Sequence, residues 1–177
     1  LAGESSVLVF NCLIGGFILY GLVQFLKPKL NLISAWVGAA SLFAGYTFAS
    51  ALSWGYVDLM AAFFGLGFLI IFNQIWYNHN GVLIFMSGVF SGLAFGCKYP
   101  AGVLFLAGFL SIIVLLIKSK RKDWFKILIF YSIGAGLTAF PWLLKNFIFT
   151  GNPVYPFFFE SGSMNQIRMA VYQGLPS

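Results

Sequence analysis

An all-α, polytopic transmembrane helical bundle is the fold class this chain predicts, and three observations predict it. Hydrophobic residues make up 60% of the 177 residues and charged residues 8%, with a mean hydropathy of +0.93; a water-soluble domain carries about 25% charged residues. Apolar runs of about 20 residues, the length that crosses roughly 30 Å of hydrocarbon, recur along the chain. Seven of the ten basic residues gather in two short connections, Lys27 and Lys29 in one and Lys118, Lys120, Arg121, Lys122 and Lys126 in the other. Such clustering is the positive-inside bias, so the net charge of +6 reports orientation and not affinity for nucleic acid.

Each element has its own signal. Ser6 to Leu26 is the first span, closed by Lys27-Pro28-Lys29. Leu32 to Leu52 is the second and Val57 to Trp76 the third, joined by a turn, Ser53 to Tyr56, that carries the aromatics expected at a membrane interface. Tyr77 to Gly81 is a polar turn in which His79 is solvated. Val82 to Ile117 would extend about 54 Å as one helix, far more than a bilayer. Pro100 also disfavours helix at Tyr99. A hairpin with Cys97-Lys98-Tyr99-Pro100 at its tip satisfies both constraints. Its arm from Val82 to Gly96 is short, which sets the tip slightly below the interface. Phe125 to Phe147 is a sixth span, bent or ended by Pro141. The transmembrane helical domain thus covers residues 1–150 with about six spans. Residues 151–177 form an extracytoplasmic loop with a short interfacial helix over Ser163 to Gln173. The chain opens at Leu1 without a methionine and stops soon after that loop, so further spans are expected on both sides.

With both basic connections in the cytoplasm, Glu4, Asp58, Lys98, Lys145, Glu160 and Arg168 share the opposite face. Asp58 opens a span, where a carboxylate binds a divalent metal ion, orients a sugar hydroxyl or acts as a base; it equally complements a helix N-terminus, worth about 0.3–1 kcal/mol. Lys98 at the hairpin tip is placed to hold a phosphate as a point charge, or snorkels to the interface as lysines near span ends do. Lys145 and Asn146 end the last span, and Gly151-Asn152-Pro153-Val154-Tyr155-Pro156 is a turn with little freedom to collapse, suited to shaping a cleft or simply to turning. Gly88, Gly92 and Gly96, with Ser87 and Ser91 beside them, form a surface for close helix approach. Cys12 and Cys97 lack metal or redox spacing; they lie near the same face, which permits a disulfide, but read first as two buried thiols. Asn11, Gln24, Asn73 and Gln74 are explained by interhelical hydrogen bonds.

Ser91-Gly92-Leu93-Ala94-Phe95-Gly96-Cys97-Lys98-Tyr99-Pro100 resembles the "G-L-A-x-G-x-K-Y" hairpin of prokaryotic membrane glycosyltransferases of the GT-C superfamily, the group of the dolichyl-phosphate-mannose protein mannosyltransferases and aminoarabinose lipid A transferases. Pro141-Trp142-Leu143-Leu144-Lys145-Asn146, followed by Thr150-Gly151-Asn152-Pro153-Val154-Tyr155-Pro156, is similar to that group's "P-W-x-x-[KR]-N…T-G-N-P-x-[YF]-P" segment. Tyr56-Val57-Asp58-Leu59 resembles its acidic span opening. The three matches run in the same order over about residues 32–156. The resemblance implies a multi-pass protein of the cytoplasmic (inner) membrane that takes a sugar from a polyprenyl-phosphate carrier among the membrane lipids and passes it to an acceptor at the extracytoplasmic face. It implies substrate-binding roles for Asp58, Lys98, Tyr99, Lys145, Asn146, Asn152 and Tyr155, with Asp58 also the candidate ligand of a divalent metal ion. The family's principal catalytic acid follows its first span and has no counterpart here, so it is expected upstream of Leu1.

The alternative is a non-catalytic helical subunit or scaffold of a larger membrane protein assembly. A transporter would place broken helices near mid-membrane, whereas Pro100 and Pro141 fall near one face. The enzymatic reading requires Asp58, Lys98 and Asn152 to line one outward-opening cavity.

Overall fold

The structure is a computed structural model that describes residues 4–53, 57–75, 80–119 and 124–158. All regular structure among them is helical: α1 (Glu4–Leu26), α2 (Leu32–Ala44), α3 (Tyr46–Ser53), α4 (Asp58–Ile75), α5 (Gly81–Cys97), α6 (Gly102–Ser119) and α7 (Trp124–Thr150). Four of them, α1, α4, α6 and α7, are long and apolar enough to cross a membrane. Large apolar side chains lie exposed along them, among them Phe10, Phe17, Leu110 and Phe147. A continuous apolar exterior of that kind suits lipid and not water. The chain is a helical membrane bundle.

The expected second span is not one helix. It breaks at Gly45 into α2 and α3, which meet at 67°. Gly45 adopts extended backbone (ψ 127°), and its N–H turns back to the Leu42 carbonyl at 3.2 Å. No side chain at Gly45 resists that departure, and apolar composition alone carries no signal for it. In α5 the 17 residues reach about 26 Å, short of a full crossing, as the brief arm of the hairpin predicts. Pro141 does not end the last span: α7 runs through it to Thr150. Proline deprives the carbonyl four residues back, Leu137, of its helical donor and crowds it. Pro141 and Leu137 are both on the exposed side of α7, so neither defect falls at the packed interface.

Packing explains why the bundle holds where it does. Helices α5 and α7 run parallel in near backbone contact. A Cβ at Gly88 would stand 2.1 Å from the Tyr131 carbonyl oxygen, and one at Gly92 would stand 2.3 Å from that of Ala135. Reciprocally, one at Gly134 would stand 2.3 Å from the Phe85 carbonyl oxygen. Glycine is required at these three positions because backbone fills the space. Thr138 Oγ1 donates across the seam to the Val89 carbonyl at 3.0 Å. Tyr131 is fully buried; its hydroxyl donates to the Phe105 carbonyl at 3.1 Å and lies 3.3 Å from the Ser91 hydroxyl, while its ring stacks on Phe105. The main core, with Phe68, Ile84, Ile112 and Leu128, joins α4 through α7; a second, with Ile14, Ile18 and Leu59, attaches α1 and α3.

Cys12 and Cys97 are both free, and the expectation of two buried thiols fails for Cys12, which is exposed on α1. Cys97 is half-buried at the end of α5. Asn11 Nδ2 reaches the Ala51 carbonyl of α3 at 3.4 Å, the interhelical bond expected of it. His79, Glu160, Arg168 and the helix expected over residues 163–173 lie outside the described residues.

Candidate functional site

Alternation of the helices brings the 97–102 link, the start of α4 and the end of α7 to one end of the bundle. Lysines 27, 29, 118 and 126 belong to connections at the other. At the first end, α5 stops at Cys97. Lys98 follows in extended conformation (φ −153°, ψ 122°), and its N–H caps the Ala94 carbonyl. Tyr99 to Ala101 then form a single 3₁₀ turn with Pro100 in its first positions, where a missing N–H costs nothing. The extended Lys98 sends its side chain toward α4, and Tyr99 turns toward α7.

The two directions define two contacts. Lys98 Nζ forms an ion pair with Oδ1 of Asp58, the first residue of α4, across 40 residues of sequence. Both side chains are half-exposed. On the other side, Asn146 Nδ2 donates to the Tyr99 hydroxyl at 2.7 Å and Trp142 Nε1 donates to it at 3.3 Å. Two donors on the phenol oxygen occupy its lone pairs, so its own O–H is the valence that remains for a ligand. Phe95 and Phe157 pack edge-on to the Tyr99 ring at 5.4 and 5.6 Å and fix its plane. Lys145 lies with its ammonium 4.5 Å from the centre of the Trp142 ring, an arrangement that holds a cation at an exposed site by cation–π attraction.

The loop after α7 is built by its own polar groups. Gly151 takes the left-handed conformation (φ 69°) that ends a helix without steric cost, and its N–H returns to the Phe147 carbonyl. Asn152 is fully buried; its Nδ2 donates to the Phe157 carbonyl at 3.0 Å, and its Oδ1 accepts from the Val154 N–H at 3.0 Å. Thr150 Oγ1 donates to the Asn146 carbonyl at 2.7 Å and accepts from the Asn152 N–H at 3.2 Å. Asn146 Nδ2 also lies 3.4 Å from the Pro153 carbonyl. The loop is thus tied to the α7 end that positions Tyr99.

Beside Tyr99 an apolar groove of about 500 Å³ opens between α5, α6 and α7. Phe95, Val103, Leu106, Ala135 and Ala139 line it, and Gly136 has no neighbour within 4 Å of where its Cβ would be. A second hollow of about 510 Å³ lies between α6 and α7 near Phe125, and Ser132 borders both.

Asp58, Lys98, Tyr99, Lys145, Asn146 and the 151–156 turn therefore gather at one end of the bundle. Two expectations need correction. Asn152 is not on the wall of the groove beside Tyr99: it is fully buried and bonded to Phe157 and Val154 within the turn. The groove wall includes Tyr99 but neither Asp58 nor Lys98, which pair outside it. Tyr155 is half-buried and its N–H bonds the Asn152 carbonyl at 3.2 Å, which places it within the same turn. Among the described residues no three His, Cys, Asp or Glu side chains converge as a metal cluster would; Asp58 instead meets an ammonium. Trp142 and Phe157 belong to the site and were not singled out from sequence. Trp142 was legible there, since it stands four residues before Asn146 and so shares its helix face. Phe157 arrives by a loop, which has no such periodicity.

No family model, curated protein or solved structure matches this chain. What the site does is argued from its geometry and chemistry.

Proposed function

We propose that the chain forms the carrier-binding part of a membrane glycosyltransferase. It takes a sugar from a polyprenyl-phosphate carrier and passes it to an acceptor at the extracytoplasmic face of the inner membrane. Asp58, Lys98 and Asn152 do not share the groove, so the reading rests on a different observation: an apolar groove beside Tyr99, at the end of the bundle where Lys98, Lys145 and Asn146 gather. An isoprenoid tail needs a lipid-accessible apolar channel, and its phosphate needs cations and hydrogen-bond donors where that channel ends. Tyr99 belongs to both: it lines the groove, and its hydroxyl oxygen accepts from Asn146 near the end of α7.

The chemistry follows from the groups present. The sugar departs from a phosphate on which negative charge develops, and fixed cations in a partly dehydrated site lower the energy of that charge. Lys98 is the nearest cation to Tyr99 in sequence and Lys145 the next by position on α7. Asn146 and Trp142 orient the phenol and do not touch the phosphate. Asp58 is engaged by Lys98, so under this reading the base that activates the acceptor hydroxyl is another carboxylate. If a divalent ion serves the reaction, Asp58 is the described carboxylate in a position to bind it, at the expense of its lysine partner.

The test is transfer by the complete protein in lipid vesicles, supplied with a radiolabelled polyprenyl-phosphate sugar. Label should leave the lipid fraction, and Lys98→Gln should slow this by about a hundredfold while leaving the amount of folded protein unchanged. Loss of folded protein in parallel with activity would move the reading to a scaffold in a larger membrane assembly.

A further inference from the structure

Lys98 already holds an anion. Its ammonium is paired with Asp58, which is the only carboxylate among the described side chains. Lys98 follows α5 and Asp58 opens α4, and the two side chains are 50% and 49% exposed. Exposed lysine–carboxylate pairs of this kind are weak and exchange readily. The polyprenyl monophosphate that transfer releases is a phosphate monoester, with more negative charge than a carboxylate and three acceptor oxygens. Asp58 takes one of the three ammonium donors and offsets its charge, so it weakens the attraction of Lys98 for a second anion.

We propose that Asp58 is an internal counter-ion that occupies the Lys98 anion site at rest and is displaced by the phosphate of an isoprenoid lipid. The proposal rests on the carrier-binding reading above and adds a direction of effect to it. Asp58 lowers affinity for the anionic lipid by competing for Lys98, and it recaptures the ammonium when the phosphate product leaves. The exchange is ionic throughout; no covalent bond forms or breaks. Asp58 is a positioning residue here, acting through Lys98. Its removal should tighten binding, a change that damage to the fold does not produce.

The experiment titrates the complete protein in lipid nanodiscs with polyprenyl monophosphate, and separately with the uncharged polyprenol, reading bound lipid by native mass spectrometry. Wild type should prefer the phosphate. Asp58→Asn should bind polyprenyl monophosphate about two- to fivefold more tightly, the worth of an exposed ion pair, with polyprenol binding unchanged. Asp58→Glu, which preserves the competitor, should resemble wild type. Lys98→Gln should lose the preference for phosphate, and adding Asp58→Asn to it should change nothing further. Equal or weaker phosphate binding by Asp58→Asn, alongside a wild type that prefers phosphate and a Lys98→Gln that does not, overturns the counter-ion while leaving the carrier site standing. A wild type that binds polyprenol and its phosphate alike overturns the carrier-binding reading and the counter-ion with it.

Discussion

Replacing Gly88 by alanine should loosen the α5–α7 seam by an amount that the geometry sets. The new Cβ would lie 2.1 Å from the Tyr131 carbonyl oxygen and 3.1 Å from the Ala135 nitrogen. Both are backbone atoms of a helix and cannot rotate aside, so the two helices must separate by about 1 Å to reach ordinary contact distance. A radial gap of 0.5–1 Å forfeits about a quarter to a half of each dispersion well of 0.1–0.2 kcal/mol. Over a few tens of atom pairs along the seam this amounts to about 2 kcal/mol, within the range for overpacked cores. Alanine's higher helix propensity returns up to about 1 kcal/mol, leaving a net loss of about 1–2 kcal/mol. Thermal unfolding in detergent, followed by tryptophan fluorescence, measures it. Gly16→Ala is the internal control, because nothing lies within 4 Å of its Cβ position; it should be neutral or slightly stabilising. Gly88→Ala as stable as Gly16→Ala would refute the close approach of the two backbones.

Three further outcomes follow from particular contacts. Tyr131→Phe removes a fully buried hydroxyl that bonds the Phe105 carbonyl and should cost about 0.6–1.5 kcal/mol in the same unfolding assay. Asn152→Ala strips the bonds to Phe157 and Val154; amide hydrogen exchange at Val154, Tyr155 and Phe157 should accelerate at least tenfold, with little change in global unfolding temperature. Gly136→Leu projects into the groove without a backbone clash, so it should lower polyprenyl-lipid binding at least tenfold while unfolding stays near wild type; unchanged binding would move the lipid tail elsewhere.

Much of the architecture was legible from residue order. Helical membrane class, the hairpin at Cys97-Lys98-Tyr99-Pro100 and the glycine seam each follow from local rules: apolar length, proline geometry and small residues every fourth position. The gathering of Asp58, Lys98, Lys145 and Asn146 at one end was readable too, because alternate crossings permit only one arrangement of the connections. Three features escaped. The bend at Gly45 lies in a run whose composition is as apolar as its neighbours, and glycine within a span signals packing as often as a break. Pro141 disrupts a helix only where its lost bond matters, and whether its ring faces a neighbour is a property of the bundle. Asn152 resembled a cleft residue because asparagine in a turn looks the same whether its amide faces a ligand or its own loop.

The chain by itself determined the solvent it folds in, the approximate crossings and the end at which its polar groups collect, since these depend on hydrophobicity and charge summed along contiguous residues. Tertiary structure alone decided which polar groups meet. Lys98 faces Asp58 and Tyr99 faces Asn146 because one extended residue and one 3₁₀ turn rotate adjacent side chains toward different helices. Partner choice at that scale depends on angles between helices, which no linear pattern encodes.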